Sequence, residues 1–276
     1  MINLHAYSQI SGNQSYKGHR DSASDKGSFF SNDSTLVIYS NILLNQNADK
    51  FKLALGVNQE GKTPKECLEK INKRINSLIS KLPTQIKKQD IYVDFISQTR
   101  IYDFETTEKS ANEILKGFEV KKNIIITVSD LNLFEQIIAE ASEYQIYDII
   151  KVDYINDNVE AIQKELLDIA KNVADKKKDL FISKFNRKTI GNPRAIENFT
   201  SSYPKDKYKN YEASESSRVD SYSSSFIKKE ARKNQTFYYE GVDCSGFDKI
   251  INEANPEIGI QYVLSLSVIY DLVKNK

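Results

Sequence analysis

The chain has no long apolar stretch, no surplus of either charge, and only two cysteines and two histidines among its 276 residues. Each shortage removes a class of function. No run approaches the ~20 apolar residues that a membrane-crossing helix requires, so no transmembrane segment is expected. Residues 1–30 also lack the basic and then apolar pattern of a secretory leader. The expectation is a cytoplasmic protein if Met1 is the native start, and an exported one if a leader has been removed. Lysine and arginine number 39 against 38 aspartates and glutamates, a net charge of +1. That balance creates no overall field toward nucleic acid or an anionic membrane, and no specific nucleic-acid partner is assigned. Cys67 and Cys244 are too few for a disulfide framework and form no CxxC pair for zinc. Cys67 falls beside Leu68 and Ile71 on the apolar side of a predicted helix, the setting of a buried free thiol. His5 and His19 have no acidic or cysteine partners at ligand spacing and read as solvated.

What remains is globular in composition. Hydrophobic residues make up 39% and charged residues 28%, and the length suits one large domain or two small ones. The clearest stretch is 117–179, which reads as strand, capped helix, strand, capped helix. Ile124, Ile126 and Val128 alternate with Ile125, Thr127 and Ser129, the period of two of a strand. Ser129 and Asp130 then offer oxygen caps to a helix whose Phe134, Ile137, Ile138 and Ala141 recur at spacings of three and four. Ile146, Ile149, Ile150, Val152 and Tyr154 mark a return to extended chain. Asp157 with Glu160 three residues on is a capping-box spacing, and Val159, Ile162, Leu166, Ile169 and Val173 form the expected stripe of a longer helix. Lys176, Lys177 and Lys178 suit the negative end of that helix and read as a solvated turn.

Upstream, residues 1–34 have no sustained periodicity and read as a flexible arm. Residues 35–44 suggest a strand, and Phe51, Leu53, Leu55 and Val57 define a second one with a wet opposite side. Thr63, Pro64 and Glu66 make the strongest helix start in the chain, with threonine as cap, proline in the first turn and glutamate three residues after the cap. Its stripe runs through Cys67, Leu68, Ile71, Ile75, Leu78, Ile79 and Leu82 until Pro83 stops it. Ile91, Val93 and Phe95 resume extended chain to about Tyr102, and 103–112 reads as a charged connection. Within it, Asp103, Glu105 and Glu108 lack the glycine turn and ligand order of a calcium loop. Downstream, 190–199 suggests a short strand, while 200–225 is rich in Ser, Tyr, Lys and Asp and reads as a long loop or lid. Tyr203, Lys205, Lys207, Tyr208, Lys209 and Tyr211 interleave as in surfaces that stack single-stranded bases, but Asp206, Glu212 and Glu215 dilute the charge. A strand is expected at 236–240 and another at 260–273, where Tyr262, Leu264, Leu266, Val268 and Tyr270 alternate with Val263, Ser265, Ser267 and Ile269. This last strand is expected to lie at a sheet edge.

One catalytic pattern is present. Gly56, Gly61, Lys62 and Thr63 satisfy GxxxxGK[ST] between a predicted strand and a predicted helix, the context of a phosphate-binding loop. Glu60 would set a carboxylate against the phosphates, and Pro64 removes an amide donor where the anion would sit. Val57, Asn58, Gln59 and Glu60 continue the strand more naturally than they form a phosphate nest. No catalytic, cofactor-binding or metal-binding residue is therefore assigned, and no cofactor is implied.

The order of elements resembles the bacterial SIMPL domain family, DUF541. The residues that carry the resemblance begin with Leu55-Gly56-Val57 and with Lys62-Thr63-Pro64-Lys65-Glu66 opening a helix that holds Asn72 and Leu78. They continue with Gly117 and the strand to Val128, Ser129-Asp130-Leu131, Phe134, Ile137, Ile138, the strand 149–154 and Asn156-Asp157. Ile190-Gly191 and the closing Val268-Ile269-Tyr270 complete it, so that it spans about 35–273. The resemblance implies a mixed α+β domain, often exported to the periplasm or envelope, sometimes self-assembling, and linked loosely to oxidative or envelope stress, with no established catalytic residues. This chain departs from the pattern in lacking a leader, in its low glycine content after the long helix and in its insertion near 200–258. The expectation is thus an α+β fold with one largely antiparallel sheet covered by about three helices over 35–276. It would serve as a noncatalytic homo-oligomer. A module binding a small ligand or peptide is the alternative, and a nucleotide-binding enzyme using Lys62 and Thr63 is a further one.

Overall fold

The computed structural model describes residues 28–106, 111–212 and 235–274. In chain order they form β1 (Phe29–Ser31), β2 (Thr35–Gln46), β3 (Lys50–Gly61), α1 (Pro64–Lys81), β4 (Ile91–Thr106), β5 (Ala111–Val128), α2 (Asn132–Glu143) and β6 (Asp148–Ile155). They continue as α3 (Val159–Phe185), β7 (Thr189–Ser202), β8 (Tyr208–Glu212), β9 (Gln235–Tyr239), β10 (Lys249–Ile251) and β11 (Ile260–Leu272). The fold is α+β and its pairings are largely antiparallel, as the sequence leads one to expect. The strands form three sheets, however, where one was expected, and the chain divides into two compact units, 46–162 and the remainder on either side of it.

The unit 46–162 is a four-stranded sheet in the order β4-β5-β3-β6, antiparallel at every step. β3 is central because its alternation is complete: Phe51, Leu53, Leu55 and Val57 are buried against Val120, Ile124, Ile126 and Val128 of β5. Helix α1 covers this face with Cys67, Ile71, Ile75 and Leu78, and α2 with Ile137 and Ala141. Full burial of each large aliphatic side chain contributes about 1.5–3 kcal/mol. α1 begins where the sequence places it. Thr63 is extended and its Oγ1 accepts from the Glu66 N–H at 3.2 Å, while the Glu66 carboxylate reaches back to accept from Lys62 N at 2.9 Å. At the start of α2, Asp130 Oδ1 accepts from Asn132 N at 2.9 Å, so the aspartate acts as a cap although Leu131 separates it from the first helical residue.

Two expectations are corrected in this unit. The charged connection expected at 103–112 is instead a hairpin: β4 runs on to Thr106 and pairs with β5 as far as Thr106 opposite Ala111. Since β3 ends at Gly61, opposite Phe118, the strands beyond that point pair only with each other and project as a two-stranded ribbon. The cap of α3 is Asn158, whose Oδ1 accepts from Ala161 N at 3.0 Å. Asp157, expected in that role, is drawn to Lys50 at 2.6 Å.

The second unit holds a five-stranded sheet in the order β1-β2-β11-β7, with β10 paired in parallel to β2. Here the closing strand is not an edge. β11 lies between β2 and β7, and its Tyr262, Leu264, Leu266, Val268 and Tyr270 are buried. β7, expected as a short strand over 190–199, spans 14 residues and forms the exposed edge. Its Phe199 ring stacks on Tyr262, centroids 5.7 Å apart. α3 belongs to this unit from Gln163 onward and buries Leu166, Ala170, Ala174 and Phe181. That column lies beside the expected stripe, and the two alanines suit close helix packing. Nor does α3 end at its lysines. It continues to Phe185 because Lys177 Nζ donates to the Tyr39 carbonyl at 2.7 Å and pairs with Asp248 at 2.5 Å, while Lys178 Nζ lies 5.7 Å from the centre of the Tyr270 ring. Phe29 of β1 packs edge-on against Phe181 and Phe185, so Phe29–Ser31, at the end of the stretch read as an arm, is a strand held to β2. Of the stretch read as a loop, 200–202 completes β7, and β8 pairs with β9 in a two-stranded hairpin. Residues 213–234 and 1–27 lie outside the described residues, and with them fall His5, His19 and Glu215.

Candidate functional site

The phosphate-loop match takes up a geometry that leaves no cradle. Gly56 through Gly61 are successive ladder positions of β3, paired one to one with Asn123 through Phe118 without a bulge. A phosphate nest needs consecutive N–H groups turned toward one point, and in an extended strand they alternate sides. Arg74 of α1 holds this segment further: its Nη1 donates to the Asn58 carbonyl at 2.8 Å and to Gln59 Oε1 at 3.0 Å. The same guanidinium donates from Nε to the Tyr144 carbonyl at 3.0 Å and from Nη2 to the Gln145 carbonyl. Arg74 thereby staples the end of β3 to the end of α2. Thr63 is the helix cap already described. Gly61 has a structural reason for being glycine, since a Cβ there would meet Cys67 Sγ at 3.0 Å.

The remaining candidate residues do not converge. Asp103 and Glu105 are ribbon residues of β4, Asp103 pairing with Lys116 at 3.7 Å, and Glu108 lies outside the described residues. Among the described residues no group of three or more His, Cys, Asp or Glu is placed to hold a metal, and no helix is long and apolar enough to cross a membrane. Of the interleaved tyrosines and lysines, Tyr203 precedes a short 3-10 turn, Pro204–Asp206, and Tyr208 meets Tyr239 edge-on across the β8–β9 hairpin. Lys209 faces Glu240 at 3.4 Å. Cys67 is fully buried, its Sγ donating to the Phe118 carbonyl at 3.2 Å, and burial pushes its pKa up. Burial also raises Cys244. Neither is an activated thiol.

Two polar junctions escaped the sequence reading, and both are structural. Gln261, buried in β11, accepts through Oε1 from the Tyr239 hydroxyl at 3.1 Å and from Val242 N at 2.6 Å, and donates through Nε2 to Asn45 Oδ1 at 2.7 Å. Asp248 accepts from Asn41 N at 2.8 Å while holding Lys177. Their partners lie up to 216 residues away in sequence, so no local pattern announces them.

What the molecule does present is surface. The ribbon displays Tyr102, Phe104, Ile114 and Leu115 to solvent, Phe104 at 62% exposure. β4, sixteen residues long, is an outer strand of its sheet along its whole length, and Tyr92, Phe95 and Ile96 are exposed on it as well. On the opposite side of the core, α1 and α2 lie together over the sheet.

This is an α+β chain of largely antiparallel sheets, with helices on one face of its four-stranded sheet. The sequence model of the SIMPL family, described as a protein of unknown function (DUF541), matches residues 44–236, well over half of the chain, and the protein belongs to that family. The match is narrower than the span of the resemblance, running from the end of β2 into β9. No curated protein matches the chain.

Proposed function

We propose that this protein is a noncatalytic, self-assembling member of the SIMPL family. Association with the cell envelope or a stress response is part of the same reading and rests on family resemblance alone. The observation that supports self-assembly is the β4 edge with its projecting ribbon. Large apolar side chains exposed together on a strand with one open edge are costly for an isolated monomer and mark an interaction surface. The ribbon is a pairing surface ready to accept another strand, since its backbone groups on the open side have no neighbour in the sheet.

The same edge favours one alternative from another class, a peptide-binding module that takes an extended segment as an added strand. Light scattering coupled to size exclusion at micromolar concentration separates the two. The expected result is a mass above the 31.6 kDa of one chain that rises on concentrating. A constant monomer mass would sink assembly and leave peptide binding as the better account. Calorimetry with ATP or GTP and magnesium is expected to show no heat of binding. A micromolar dissociation constant, lost in Lys62→Ala, would restore the nucleotide reading.

A further inference from the structure

The helical face of the 46–162 unit is divided by charge. From residue 62 to residue 88, the stretch containing α1, there are eight lysines and arginines against two glutamates. From residue 123 to residue 150, the stretch containing α2, there are Asp130, Glu135, Glu140, Glu143 and Asp148 and no basic residue. The two helices are neighbours over one core, and Arg74 in the middle of α1 donates to the Tyr144 carbonyl just past the end of α2. Yet no ion pair links them among the described residues. Lys65 and Lys70 of α1 pair within their own helix, with Glu69 and Glu66, and among the described residues no ion pair joins an α2 carboxylate to a basic side chain. The residues of these two helices and their ends are not wholly polar on the outside, because Leu131 and Ile138 are exposed and Leu68 and Ile79 are only partly covered.

A surface that is basic on one side and acidic on the other is complementary to itself under a two-fold rotation. We propose, resting on the assembly reading above, that a second copy of this chain docks on the α1–α2 face. The basic α1 of each copy then lies on the acidic α2 of the other, around Leu131 and Ile138. This contact is separate from the β4 edge. Charge steers and orients it while the apolar centre supplies burial, the usual division of labour in an interface. Because the charges are solvated in the free chain, the contact weakens as salt screens them.

The experiment uses the full chain in two sets of charge reversals, Glu135→Lys/Glu140→Lys/Glu143→Lys on α2 and Lys65→Glu/Lys73→Glu/Lys81→Glu on α1, with melting curves confirming that each folds. Sedimentation equilibrium at low and high ionic strength gives the association constants. In the wild type, association is expected to weaken about tenfold or more on going from low to high salt. Each variant alone carries like charge on both helices and is expected to lose association by about tenfold or more. Mixed together, the two variants should associate, because α1 of one then meets α2 of the other with opposite sign on both sides of the axis. Folded variants that associate as the wild type does would overturn this interface while leaving assembly through another surface intact. Folded variants that each dissociate but fail to combine would also overturn it. A wild type that is monomeric at low salt would overturn both this interface and the assembly reading.

Discussion

A methyl group added at position 117 would sit 2.6 Å from the Gly61 carbonyl oxygen. No real Cβ tolerates that distance to a backbone atom, so the two strands must part. The region cannot give cheaply, since Phe118 beside it accepts the Cys67 thiol and Gly61 is itself pressed against Cys67. Gly117→Ala is therefore expected to destabilise the protein by about 1–3 kcal/mol, the cost typical of overpacking. The opposing gain from a less flexible unfolded chain is under about 1 kcal/mol. Denaturant midpoints compare the two proteins directly, and an unchanged midpoint would show that Gly117 is not pinned as described. Gly117 belongs to the resemblance to the family, and Gly61 immediately precedes its Lys62-Thr63-Pro64-Lys65-Glu66 stretch. Their meaning is a close strand approach and a helix start, which is why a pattern resembling a phosphate loop arises without a phosphate site.

At the scale of elements, the start of α3 tests whether spacing or geometry decides a cap. Asn158 accepts from Ala161 N, and losing a cap of this kind costs about 1 kcal/mol. Asp157 instead tethers to Lys50 on the surface, where a pair is worth little. Asn158→Ala is expected to lower the melting temperature measurably and Asp157→Ala much less; the reverse order would contradict this assignment. The sequence spacing pointed one residue too early because both Asp and Asn suit a cap and only the three-dimensional position of Lys50 separates them. The same limit explains the other differences. β3 and β11 were legible because one face of each is the more deeply buried, which writes an alternation into the residues, and β2 because its apolar run is buried on both faces from Ser40 to Leu44. The β4–β5 ribbon and β7 are exposed on both faces, so Asp103, Glu105, Ile196 and Glu197 carry no consistent pattern. α3 runs past its lysines because Asp248 and the Tyr39 carbonyl, far away in sequence, receive one of them. For the candidate site, Glu60 and Pro64 were enough to argue against a phosphate loop. The opposed charge of α1 and α2 gains meaning only once the fold sets the two helices side by side.

At the scale of the whole molecule, the two units differ in how the chain builds them. The unit 46–162 is continuous, with its own core from Phe51 to Ile146, whereas the other is made of segments before and after it. β2 and β11 are neighbours although most of the chain separates them, and contacts this distant are slow to form because loop closure must precede any gain. The continuous unit eases that problem. Lys50 pairs with Ile155 in the ladder. Asn156 Nδ2 donates to the Asn47 carbonyl at 2.7 Å, and Asp157 N donates to Asp49 at 2.8 Å. Once folded, the unit therefore ties together the points where the chain enters and leaves it, and replaces a long loop by a short one. The fragment 46–162 is expected to fold alone, with a cooperative melt and dispersed amide resonances. In the full chain, pulse-labelled hydrogen exchange is expected to protect the amides of β3 and β5 before those of β2 and β11. A fragment that stays unfolded, or protection of both sheets in a single step, would show that the units fold as one.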